Sequence, residues 1–172
     1  MRRWGKIVDE GLHDGIAEIS FSARRDRLLN MTAEEREAFF NNVGDPKRRD
    51  RFRSTYELGS RSPFVLYAVA AFERAFRQLE RQLTDGGPWI MGDQLTLADI
   101  ALAPYVARLS FLNLADLWLA DKPRVQSWKS HMERWPTYRR EILGPMEPEI
   151  EKMARAGEAF RPQLAEVFQQ LS

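Results

Sequence analysis

Residues 92–104 read GDQLTLADIALAP, with a single acidic residue, Asp99, inside an otherwise apolar run. Thr96 stands just before the run and Asp99 three residues later. With Thr96 as N-cap, its hydroxyl is placed to accept from the Asp99 amide, and the Asp99 carboxylate to accept from the Thr96 amide. This is a capping box with aspartate in the usual Glu/Gln place. Leu95 and Ile100 then occupy the N′ and N4 positions of a hydrophobic staple, and negative charge in the first turn suits the helix dipole. A catalytic or metal-binding role would need a second polar partner, yet Leu97, Ala98 and Ile100 are all apolar. Asp99 therefore reads as a structural peg, and a cap of this kind contributes about 1–2 kcal/mol.

Outward from this stretch the pattern is helical nearly everywhere. Upstream, Ser62-Pro63 is a helix start. The helix it opens carries Phe64, Leu66, Val69, Phe72, Phe76, Leu79 and Leu83 and ends at Gly86-Gly87-Pro88. Trp89 to Gly92 forms a short connector. The helix beginning after Thr96 runs to about Asn113, with Pro104 in its interior, where it removes one backbone bond. Downstream, Pro123 opens a helix with Val125, Trp128 and Met132 on one face, and Pro136 closes it. Nearer the N-terminus, Ile7, Val8, Leu12, Ile16, Ile19 and Ala23 recur at three-four spacing from Trp4 to Leu29. Gly5, Gly11 and Gly15 weaken that helix, so packing must hold it. Thr32 and Glu35 form a second capping box, followed by a short helix to about Asn42. VGDPKRRDRFRS (43–54) reads as a basic loop leading into another short helix. The C-terminal segment reads as two helical pieces broken at Gly157 and Pro162. No alternating strand pattern, phosphate loop or fixed-period repeat occurs. The expectation is an all-α helical bundle in a single domain, 1–172, with a core at about 4–142 and a helical extension at about 145–172.

The chain has 172 residues, 44% hydrophobic and 30% charged, a balance typical of a globular domain. A formal charge of +1 demands neither nucleic acid nor an anionic membrane as partner. The absence of cysteine excludes disulfides, thiolate metal sites and a cysteine nucleophile within this sequence. The two histidines, His13 and His131, lie far apart, and no metal site is expected. Lys6, Asp9 and Glu10 interrupt any apolar leader, no run approaches a membrane span, and the expected location is cytoplasmic. The basic segment Pro46 to Arg53 is the densest positive patch. The near-neutral chain argues against nucleic acid there and leaves an acidic substrate or partner as the alternative.

GDQLTLADIALAP followed by PRVQSWKSHMERWPTYR (123–139) resembles the C-terminal helical domain of the glutathione S-transferase superfamily. That domain carries a capping box and staple at the start of its central buried helix, then a P-x-V-x-x-W-x-x-x-M motif about two dozen residues on. The resemblance covers roughly Trp4 to Ile142. It implies an all-α fold that supplies the wall of an electrophile pocket and part of a dimer interface. The family's glutathione-activating residues belong to a preceding thioredoxin-like domain, and none maps onto a position here. Glutathione is therefore expected as cofactor only if a thioredoxin-like domain is supplied, with none bound by this chain alone. The expected partners are that domain or a homodimer partner, together with a small hydrophobic electrophile.

The resemblance places the first helix against the active-site cleft, which makes Trp4 and His13 candidate substrate-binding residues, with Asp9 and Ser20 as further polar points. Tyr105, Arg108 and Phe111 are the candidates from the central helix. Trp118, Trp128 and Trp135 are expected in the core. A non-catalytic interaction module of the same helical type is the alternative, because fold does not fix function.

Overall fold

The computed structural model describes residues 2–83 and 87–171; Gly86, in the expected helix stop, lies outside them. The elements run α1 (Arg2–Ile7), a π-helical turn (Val8–Leu12), α2 (His13–Ala23), α3 (Arg25–Leu29), α4 (Ala33–Asn41), α5 (Pro46–Leu58), a 3₁₀ turn (Gly59–Arg61) and α6 (Pro63–Gln82). They continue as α7 (Leu97–Phe111), α8 (Asp116–Leu119), α9 (Pro123–Arg134), α10 (Pro136–Tyr138), a π turn (Arg139–Leu143), a 3₁₀ turn (Gly144–Met146) and α11 (Glu147–Leu171). The fold is an all-α bundle, with no strand among the described residues. No helix is long and apolar enough to cross a membrane.

The core forms around α6 and α7. The buried face of α6 is Val65, Ala68, Val69, Phe72, Ala75, Phe76 and Leu79, each at most 3% exposed. Of the expected stripe, Phe64 is instead 36% exposed and Leu66 only half-buried. The 3.6-residue period that seats Val65, Val69 and Phe72 inward turns Phe64 away from the core. On the first helix, Gly11 and Gly15 lie four residues apart on the face toward α6. A Cβ at Gly15 would sit 3.3 Å from the Phe72 ring and 3.4 Å from the Ala68 Cβ, and one at Gly11 3.2 Å from the Ala71 Cβ. These glycines let the helix axes approach, and that packing offsets their poor helix propensity.

The continuous N-terminal helix expected over Trp4–Leu29 is interrupted twice, by the π turn at Val8–Leu12 and at Arg24, which has φ −106° and ψ 11°. The expected basic loop is helical: α5 begins at Pro46, with the Asp45 side chain accepting from the Lys47 amide. Asp45-Pro46 is a cap followed by proline at the first helical position, the same start signal as Ser62-Pro63. The C-terminal segment is one helix, with Gly157 and Pro162 inside it. At Gly157 the helix crosses the backbone of Leu112 so closely that a Cβ would collide with the Leu112 carbonyl. This glycine serves as a contact point between helices and breaks nothing. The buried face Met153, Phe160, Leu164 and Val167 holds α11 helical through Pro162 despite a cost of about 3 kcal/mol for a helix-interior proline.

A smaller aromatic cluster lies beside the main core. Phe21 and Phe52 stack with centroids 4.2 Å apart and planes 6° from parallel, alongside buried Leu28 and Phe40. Arg53 lies over the Phe40 ring at 4.6 Å and Arg48 over Phe52 at 5.2 Å.

Candidate functional site

Asp99 is wholly buried and accepts four hydrogen bonds. One carboxylate oxygen takes the Ile90 amide at 2.9 Å and the Trp128 indole N–H at 2.9 Å. The other takes the Thr96 amide and the Thr96 hydroxyl, both at 2.8 Å. The Thr96 Oγ1 also accepts from the Ala98 amide at 3.3 Å. Asp99 thus ties the connector before α7, the first turn of α7 and the face of α9 into one node, with no direction left for a substrate. Leu95 packs partly buried against the core, whereas Ile100 is 41% exposed.

The other sequence candidates divide into two groups. Trp4 and Phe111 are packed in the core, 3% and 8% exposed. His13, Tyr105 and Arg108 reach the surface on two facing helices. His13 Nδ1 lies 3.3 Å from the Tyr105 hydroxyl, and the rings meet edge to face at 6.3 Å. Partial burial, helped by the charge of Asp9, raises the Tyr105 phenol above its ordinary range. The pair joins residues 92 apart in sequence.

One turn along α7 from Tyr105, Arg108 enters the wall of a cleft of about 430 Å³. Ser20 of α2 and Arg27 of α3 both line it, whereas His13 and Tyr105 are not among its lining residues. Its floor is apolar, formed by Ala23, Leu112, Met146, Met153 and Ala156, and α11 closes the far side. Its rim carries Arg24, Arg27, Arg108 and Lys152 against Asp26 and Glu149. Arg108 donates to the Met153 sulfur at 3.2 Å, a weak acceptor. Arg24 donates to the Ser20 carbonyl at 3.1 Å. Partial burial, then the neighbouring charges of Arg108 and Arg27, pushes the Arg24 guanidinium below its ordinary pKa.

Sequence reasoning missed Arg24, Arg27 and the contribution of α11 to this cleft. The first two follow Ser20 at helical spacing, so their face was readable; the position of α11 depends on the contact at Gly157. Also missed was Glu18, 2% exposed. It accepts from the Thr55 hydroxyl at 2.9 Å and from Arg51 at 3.3 Å. Burial outweighs these partners and raises its pKa. Arg51 further pairs with Asp14 at 2.8 Å, Arg53 pairs with Glu37 at 2.6 Å, and Arg49 donates to the Val43 carbonyl at 3.0 Å. Three arginines of the basic segment are therefore engaged within the fold. Among the described residues no group of three or more His, Asp or Glu is arranged to hold a metal ion.

Comparison with known proteins places the sequence in a family. Residues 23–128, more than half of the chain, match the family model described as "Glutathione S-transferase, C-terminal domain". Two curated relatives, the 2,5-dichlorohydroquinone reductive dechlorinases of Sphingobium indicum strains B90A and UT26, are 31% identical over 84 residues. That stretch is 47% of this chain and 24% of each relative, so the match spans about a quarter of their length. No solved structure matches the chain. The chain belongs to the glutathione S-transferase C-terminal domain family.

Proposed function

We propose that this domain supplies the electrophile-binding wall for glutathione conjugation or glutathione-dependent cleavage, with the glutathione thiol presented by a thioredoxin-like domain. The observation that carries the reading is the cleft between the first helical arm, α7 and α11. It has an apolar floor for a ring and a polar edge at Ser20, Arg24, Arg27 and Arg108. Activating a thiol requires a donor or a positive dipole fixed beside the sulfur, a role the family assigns to the other domain. The names of the two relatives make a chlorinated aromatic the first substrate class to test.

An exposed apolar stripe supports a docking role for α7. Leu97 is 69% exposed, Ile100 41%, and Met91 on the connector 52%. Leu97, Ile100 and Pro104 follow helical spacing. A thioredoxin-like domain seated there would cover the stripe beside the start of α7; a second copy of the chain is the competing occupant. The same stripe favours the second reading, a non-catalytic interaction module.

The test is turnover of chlorodinitrobenzene and of a chlorinated hydroquinone with glutathione, with and without an added thioredoxin-like domain. The domain alone should stay at the uncatalysed rate. With the partner present, Arg108→Ala should raise KM more than it lowers kcat. Conjugation by the domain alone would overturn the division of labour, and a partnered complex with no turnover would favour the interaction module.

A further inference from the structure

We propose that the cleft between α2, α7 and α11 selects aromatic ligands carrying an ionised oxygen acid, a carboxylate or a phenolate, held by Arg24 and Arg108 with Arg27 at the rim. The proposal rests on the reading of this cleft as the electrophile wall and adds a charge requirement to it.

The charges around the cleft do not balance. Lys152 is paired with Glu149 at 3.6 Å. Among the described residues, none of the three guanidiniums has a carboxylate within the 4.0 Å of an ion pair. Asp26 lines the same cleft and is the one acidic side chain there without a basic partner. Three positive groups therefore face one negative one. Arg108 is half-buried, and its hydrogen bond goes to a thioether. Like charges held together beside an apolar floor raise the free energy of the empty site, and an anion between them lowers it. The guanidinium fork matches a planar oxygen acid in two-point contact. Ala23, Leu112 and Met153 supply the surface on which a ring would lie, and a thioether against a ring edge is favourable. An inorganic anion would satisfy the arginines and leave that floor uncovered.

The probes are 3,5-dichlorobenzoate and its neutral isostere 3,5-dichlorobenzamide. Binding to the folded domain is measured by calorimetry at neutral pH and located by methyl NMR of Ala23, Leu112 and Met153. The benzoate should bind about tenfold more tightly than the amide and shift those methyls. Arg108→Met and Arg24→Gln should each remove most of the preference, Arg108→Lys should keep part of it, and Arg81→Gln, outside the cleft, should leave it unchanged. Arg24 lies at the surface, so Arg24→Gln keeps the fold; melting curves check every variant. Equal affinity for acid and amide, with the methyl shifts retained, overturns the charge requirement and leaves the apolar wall standing. Absence of methyl shifts with either compound overturns both. A preference that survives both Arg108→Met and Arg24→Gln places the anion elsewhere and overturns the assignment.

Discussion

Asp99 has four donors and no solvent. A terminal cap substitution costs about 1–2 kcal/mol, but removing this carboxylate orphans the buried Ile90 amide and the Trp128 indole as well. Asp99→Ala should therefore destabilise the domain by about 3–5 kcal/mol, read as a lower denaturant midpoint. A loss within the range of a simple cap would show that the Ile90 and Trp128 contacts contribute little. Glu18 gives a prediction of opposite character. Its folded pKa is raised by burial, so the native state binds its proton more tightly than the unfolded chain does. Its contribution is fully present below the unfolded glutamate pKa and is lost as pH rises through the folded value. Wild type should therefore lose stability relative to Glu18→Gln from about pH 4.3 upward, measured as the difference in Tm across a pH series. A flat difference would mean that Thr55 and Arg51 fully compensate the burial.

At the scale of elements, the helix starts marked by a cap at Thr32, Ser62 and Thr96 were legible and helix continuations were not. Ser62-Pro63, Thr32 with Glu35, and Thr96 with Asp99 all stand at observed N-termini, because a cap is a local hydrogen bond between residues close in sequence. Gly157 and Pro162 signal a break by the same local rules, yet α11 runs through both. What decides is the contact of Gly157 with Leu112, 45 residues earlier. Gly157→Ala should improve local helix propensity and still destabilise the protein by roughly 3 kcal/mol, since the helix must move off the Leu112 carbonyl. Because α11 closes the cleft, benzoate binding should weaken in the same variant. A rise in Tm would show that α11 shifts freely. The basic segment teaches a related point. Its density of arginine suggests a binding surface, but Arg51 and Arg53 meet Asp14, Glu18 and Glu37, partners supplied by other helices.

At the scale of the whole molecule, the bundle buries one face of α7 and exposes part of the other. Leu97 and Ile100 are exposed, so polar replacements there should change stability by no more than about 0.5 kcal/mol. Leu97→Asp with Ile100→Asp should instead abolish association with a thioredoxin-like domain, or self-association, measured by light scattering. Unaltered association would place the interface elsewhere on the bundle.

The sequence by itself determined the helical class, the helix starts at Thr32, Ser62, Thr96 and Pro123, and the family, because these rest on residues within one turn of each other or on two motifs at fixed spacing. It also isolated His13, Tyr105 and Arg108 as candidates through that resemblance. Only the tertiary structure decided that His13 and Tyr105 meet, that Trp4 and Phe111 are packed in the core, and that Arg24, Arg27 and Arg108 converge on an apolar cleft without matching carboxylates. Those outcomes depend on how closely α2 approaches α6 and α11 approaches α7. Those distances are set by missing side chains at Gly15 and Gly157, whose effect lies in the residues they allow to touch.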